Sequence, residues 1–252
     1  MDLPIAFYIT TCLAILITGI SKSGFGGGLG VMAVPVMSVF VAPQFAAAVL
    51  LPILFAMDVL IVVRFRKSWR RDIVWSLVPG ALLGLALGAA FFEYLDADVV
   101  RLVIGVLALT FVGLYLLQRQ QIAPQRTGRS PVVIALSALS GFASYIAHAG
   151  GPPVKGYLLA QNMPKSEFVG TNTVFFFLLN GLKTVAYSSA GALNWHSLQV
   201  SLTVAPILFL GLWIGGRLHG LVNQAVFVAI VYCFLCLTGL RLLGSSLLAL
   251  WA

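Results

Sequence analysis

SYIAHAGGPPVKGYLL, running from Ser144 to Leu159, interrupts apolar sequence with a histidine, two adjacent glycines, two adjacent prolines and a lysine. What surrounds it sets its meaning. The chain has 252 residues, of which 60% are hydrophobic and only 9% charged, and its mean hydropathy is +1.03. A soluble domain carries roughly 25% charged residues, so most of this chain belongs in a bilayer. Apolar runs at 44–63, 73–92, 102–117, 197–216 and 221–240 approach or reach the roughly 17–25 residues of a membrane-spanning helix. The first 20 residues carry Asp2 as their one charge and no basic n-region, so they do not read as a cleaved leader.

At membrane depth an irregular backbone is tolerated only where it is buried in protein or lines a cavity, because lipid satisfies no amide. Gly150 and Gly151 permit the turn and let a ligand approach the backbone. Pro152 suits the first turn of a new helix, where a missing N–H costs least. GGPP therefore reads as the start of a half-helix, whose N-terminus attracts anions. Lys155 falls in that first turn, where a cation is disfavoured, and at mid-membrane it costs roughly 2.5–3.5 kcal/mol. A bound anion would compensate it; snorkelling or pairing with a carboxylate would too. His148 precedes the break and offers a hydrogen bond or a titratable proton.

A parallel case stands near the N-terminus. ISKSGFGGGLG at 20–30 sets Lys22, between Ser21 and Ser23, beside Gly24, Gly26, Gly27 and Gly28. Lys22 fits either a second anion ligand or a position near the cytoplasmic surface. Asp58, inside the next span, fits a proton carrier, a substrate ligand, or a partner for a lysine or Arg66. Asn172, within GTNTV at 170–174, suits a site lining or a bond between helices, as do Thr171 and Thr173. Lys183 stands about 17 residues into its span and reads as snorkelling outward.

The chain also repeats itself. VPGALLGLALG (78–88) resembles APILFLGLWIG (205–215), TFVGLYLL (110–117) resembles CLTGLRLL (236–243), and GGLGVMAVP (27–35) sits where GGPPVKGYL (150–158) sits. The three matches keep one order and nearly one offset. This divides the chain into a first transmembrane repeat (1–122), a cytoplasmic linker (123–130) and a second repeat (131–252). Each repeat is an interrupted unit (about 5–42 and 131–162) followed by three spans.

Charge orients the repeats. Arg64, Arg66, Lys67, Arg70 and Arg71 follow one span, Arg119, Arg126 and Arg129 another, and Lys165 and Arg217 mark two later turns. All fall on one side, the positive-inside signature of the cytoplasm, whereas Arg101 and Arg241 fall outside. By this count the halves are antiparallel. The expected fold is an all-α polytopic membrane protein of two inverted repeats, each a glycine-broken, re-entrant-like hairpin plus three transmembrane helices. Gly80, Gly84 and Gly88, and likewise Gly211 and Gly215, recur every four residues. They suit a close contact between the halves or between two copies in a homodimer.

GFGGGLGVMAVPVM (24–37) and AGGPPVKGYLLAQNMP (149–164) resemble the sulfite exporter family of the TauE/SafE type. The resemblance extends, through the duplication, over nearly the whole chain. It implies a multi-pass protein of the bacterial inner membrane that moves sulfite, an organosulfonate or a related small anion by a secondary mechanism. The expected substrate site comprises Lys22, Gly26, Gly27, Gly28, His148, Gly150, Gly151, Lys155 and Asn172, with Asp58 and His148 the candidates for proton coupling. Met32 occupies the position matching Lys155, so the cradle should be lopsided.

The partners expected are the small anion and the lipid bilayer. The net charge of +8 lies in loops between spans, so no basic domain exists for nucleic acid. Cys233 and Cys236 form a CxxC inside an apolar helix without a histidine nearby, and no HExxH occurs, so neither a metal nor a cofactor is expected. Without a Walker motif, direct ATP drive is excluded. The alternatives are an anion channel and an intramembrane hydrolase using Ser21 or Ser23 with Lys22 or His148.

Overall fold

A computed structural model describes residues 3–25, 27, 30–94, 96–117, 130–161, 163–218 and 224–251. Among the described residues there are eleven α-helices and no strand: α1 (Ile5–Phe25), α2 (Ala33–Met37), α3 (Pro43–Phe65), α4 (Arg71–Tyr94), α5 (Ala97–Leu117), α6 (Pro131–Ala147), α7 (Gly151–Ala160), α8 (Lys165–Ser189), α9 (Trp195–Val204), α10 (Pro206–Leu218) and α11 (Gln224–Trp251). A single 3-10 turn, Gly30–Met32, leads into α2.

Helix ends follow local chemistry. At the head of α6 the Ser130 side chain accepts a hydrogen bond from the Val133 N–H, and Pro131 fills the first helical position. Asn194 and Ser197 form a reciprocal capping box at the start of α9. His148 ends α6 in the left-handed conformation (φ 51°), with its N–H returned to the α6 carbonyls. Two residues later Gly150 packs back on Ser140, whose hydroxyl donates to the Gly150 carbonyl at 2.6 Å. The chain thus reverses at His148–Gly150 and restarts as α7 at Gly151, as GGPP predicts.

Two elements differ from the sequence reading. The run 197–216 is not one straight span: α9 and α10 meet at 44°, because Pro206 supplies no N–H and its ring crowds the preceding turn. The first interrupted unit is not two comparable limbs either. Its α1 has 21 residues, enough to cross a bilayer, whereas its return is the 3-10 turn and the five residues of α2.

Among the described residues, α1, α3 and α4 are each long and apolar enough to cross a membrane, and the bent α9–α10 pair makes a fourth such span. The 25-residue α8 is long enough but less apolar, because it bears Asn172, Thr173, Asn180 and Lys183. All four are buried, together with Asp58, Ser137, Ser140 and Ser144, while Leu83, Leu87, Phe209, Trp213, Leu240 and Leu248 stand exposed. Apolar groups outside and polar groups within suit a molecule whose surroundings are lipid. This is an all-α polytopic membrane protein.

Lipid gives no hydrophobic drive between helices, so close backbone packing must hold them together. The glycine repeats supply it within one chain. Gly84 of α4 lies so near α6 that a Cβ would overlap the Ala138 carbonyl, and Gly80 and Gly88 face Ile134 and Tyr145 of that helix. Gly211 and Gly215 of α10 meet Leu16 and Ile20 of α1 in the same way. The matching segments VPGALLGLALG and APILFLGLWIG therefore each pack on the first helix of the other half. At the centre α3 packs against α8, and α5 against α11.

Candidate functional site

Both breaks open onto one cavity of about 40 Å³. At roughly 10–15 Å³ per water-sized probe, that holds about three waters or one small polyatomic ion. Its wall is assembled from both halves: Thr18 and Lys22 of α1, Gly27 and the 3-10 turn, Leu54 and Asp58 of α3, Ser144 and His148 at the end of α6, Gly151 at the head of α7, and five residues of α8.

The α8 contribution is periodic. Asn172, Phe176, Asn180 and Lys183 follow one another at steps of four, four and three residues, so they share one helix face. Lys183 is 0% exposed, so it does not snorkel outward. Its ammonium donates to the Ser144 carbonyl at 2.9 Å, the Ser144 hydroxyl at 3.0 Å and Nδ1 of His148 at 2.7 Å. A carbonyl can only accept, so the 2.9 Å contact from His148 Nε2 to the Ala47 carbonyl assigns the ring proton to Nε2. His148 is then neutral, with Nδ1 facing the lysine. Among the described residues no carboxylate pairs with Lys183.

Lys22 takes the paired reading. Its Nζ lies 2.5 Å from Oδ1 of Asp58, and Asn180 donates to the other carboxylate oxygen at 2.6 Å. Asp58 is 1% and the Lys22 side chain 16% exposed. Asp58 is thus held from two helices of different halves.

Gly27 marks the first break. Its φ of 77° suits glycine, and its N–H returns to the Ser21 carbonyl at 2.9 Å. Lys155 donates to the Gly27 carbonyl at 3.0 Å, so the two breaks touch through one hydrogen bond. Lys155 itself does not line the cavity, and neither does Gly150, which serves the turn against Ser140. Gly26 and Gly28 lie outside the described residues.

Because Pro152 and Pro153 have no N–H, Gly150 and Gly151 supply the orphan amides of α7. Pro52 leaves the Ala48 carbonyl without its helical donor, and the carbonyls on either side accept from the second half: Ala47 from His148, Val49 from Ser201 at 2.7 Å.

The sequence reading placed Lys22, Gly27, His148, Gly151, Asn172 and Asp58 here, and all six line the cavity. It missed Asn180, Ser144 and Thr18, and it turned Lys183 the wrong way. The signal for Asn180 and Lys183 was present: they extend the Asn172 face by about two and about three helical turns. Thr171 belongs elsewhere, accepting from the Arg70 N–H at 2.9 Å. Ser23 donates to the Gly19 and Leu212 carbonyls, both at 2.9 Å, so its hydroxyl serves the contact of α1 with α10.

Chemically, the site offers two ammonium groups, one carboxylate, a neutral imidazole and several amides in a space the size of a small anion. Neither a curated protein nor a solved structure matches the chain. The model of the family described as Sulfite exporter TauE/SafE matches residues 11–242. Spanning nearly all of the sequence, that match makes this chain a member of the TauE/SafE sulfite exporter family, a family of anion transporters.

Proposed function

We propose that the protein is a secondary transporter that exports sulfite or an organosulfonate across the bacterial inner membrane. The anion sits where the two breaks meet, between Lys22 and Lys183. One observation carries this reading: Lys183 is wholly buried, has no carboxylate partner among the described residues, and stands on the cavity wall. A buried ammonium with no counter-ion costs several kcal/mol, and a bound anion supplies the missing charge. The Ser144 hydroxyl, which accepts from Lys183, keeps its own proton to donate to that anion. Asn172 and the Gly151 amide add donors from other sides.

Alternating access is supported by the way each half supplies both walls and partners. α1 packs on α10 and α4 on α6, while Lys22 and Asp58 come from the first half and Asn180 and Lys183 from the second. Because α1 is packed on α10 and α4 on α6, each unit that rocks about this cavity would combine helices of both halves. An interior-negative potential favours anion exit by roughly 2.3 kcal/mol per charge per 100 mV, so export needs no coupled ion. For uptake, Asp58 and His148 are the groups placed to move a proton.

A Ser144–Lys183 dyad would be the hydrolase reading. On the transporter reading Lys183 is an ammonium whose three N–H groups go to the Ser144 carbonyl, the Ser144 hydroxyl and His148 Nδ1, so it has no lone pair to act as a general base.

The test is flux in proteoliposomes loaded with radiolabelled sulfite or an organosulfonate. Efflux that rises when the same anion is present outside (exchange) supports a carrier. Efflux indifferent to the outside anion points to a channel, and no anion movement at all contradicts the proposal.

A further inference from the structure

The cavity's charge count reaches further than the presence of an anion. We infer that the site selects singly charged oxyanions, so that hydrogen sulfite or a sulfonate is carried and a dianion is refused. The inference rests on the anion-site reading above. The charged side chains on the wall are Lys22, Lys183 and Asp58. Asp58 is already committed to Lys22 and Asn180. His148 is neutral, since its Nδ1 accepts from Lys183 and its Nε2 proton goes to a carbonyl. With Lys22 and Lys183 protonated and Asp58 ionised, the sum is one positive charge.

Neighbouring groups leave that sum standing. Lys155 is turned onto the Gly27 carbonyl and lies off the wall. The end of α6 and the start of α7 meet at the same break, so their opposite dipole ends oppose each other. A monoanion therefore makes the wall neutral. A dianion leaves one negative charge uncompensated away from water, which costs several kcal/mol. One charge also crosses the membrane per anion, which fixes the electrical work of each turnover.

Methanesulfonate and sulfate separate charge from size. They have the same tetrahedral shape and nearly equal volume, and at neutral pH one carries a single charge and the other two. Thermal unfolding of the detergent-purified protein would be titrated with each sodium salt at constant ionic strength, since an anion that binds the folded state raises the midpoint. Methanesulfonate is expected to bind at least about tenfold more tightly than sulfate, the penalty of an unpaired buried charge being larger than tenfold. Equal or tighter sulfate binding overturns the charge count and leaves the anion site standing. No shift with either salt removes the anion site itself.

Asp58→Asn raises the wall to two positive charges at almost constant shape. It is expected to shrink the preference for methanesulfonate by about tenfold or more, and an unchanged preference overturns the inference. Where that variant fails to fold, the comparison in the native protein decides alone.

Discussion

Lys183 donates to Nδ1 of His148 across 2.7 Å, and that contact ties the long helix α8 to the residue that ends α6 at the second break. The same ring reaches Ala47 of α3. One lysine thereby fixes a histidine that links three helices, and its own charge is left facing the cavity. The geometry explains why a cation can sit at 0% exposure in a chain surrounded by lipid: its three protons are all accepted, and only its charge is uncompensated.

The Lys22–Asp58 pair should behave differently. Asp58→Ala strands Lys22 and leaves Asn180 without its acceptor. Breaking a buried pair costs about 3–5 kcal/mol, and the lower end is expected because the Lys22 side chain is 16% exposed. The double variant Lys22→Met, Asp58→Leu should recover most of that loss in denaturant unfolding. A double variant no more stable than Asp58→Ala would show that the pair is not the unit.

The glycine contacts give a sharper structural test. Gly84→Ala drives a Cβ into the Ala138 carbonyl, whereas nothing lies within 4 Å of a Cβ at Gly113 or Gly244. Overpacking of this kind costs about 1–3 kcal/mol. Thermal unfolding should thus fall for Gly84→Ala and stay near native for Gly113→Ala. Equal effects would contradict the close approach of α4 and α6.

Much of this arrangement was legible in the residues. Composition placed the chain in a bilayer, GGPP marked a helix restart at Gly151, and the every-fourth glycines marked two tight faces. Their destination was not legible, because a GxxxG-like face suits a neighbour in the same chain as well as one in a second copy. Asp58 and Lys22 lie far apart in sequence, so their pairing was one option among several. Lys183 was misjudged for a plainer reason: position along a span measures depth, and depth alone does not say which face a side chain takes. Lys155 fell short in the opposite way. It was expected in the first turn of α7 but is the fifth residue of that helix, and Gly27, a residue of the other half, offers it a carbonyl that no local pattern announces.

Orientation of the halves has its own readout. In a chain with Cys12, Cys233 and Cys236 replaced, a cysteine at Lys67 should be labelled by an impermeant thiol reagent only from the cytoplasmic side. One at Ser189 should be labelled only from the outside. Both positions are exposed. Labelling of both from one side would contradict antiparallel halves.

The proposed anion route predicts that transport depends most directly on Lys183. Lys183→Met keeps the length of the side chain and removes the charge, but it also leaves the Ser144 carbonyl and His148 Nδ1 without their donor, at about 1–3 kcal/mol per buried group. Radiolabelled sulfite efflux from proteoliposomes should therefore be compared for the native protein and this variant, at equal reconstitution and with matched thermal unfolding. Removing the one uncompensated positive charge beside the anion predicts efflux reduced by about tenfold or more. Efflux at the native rate from a folded Lys183→Met protein would show that the anion does not pass between the two breaks.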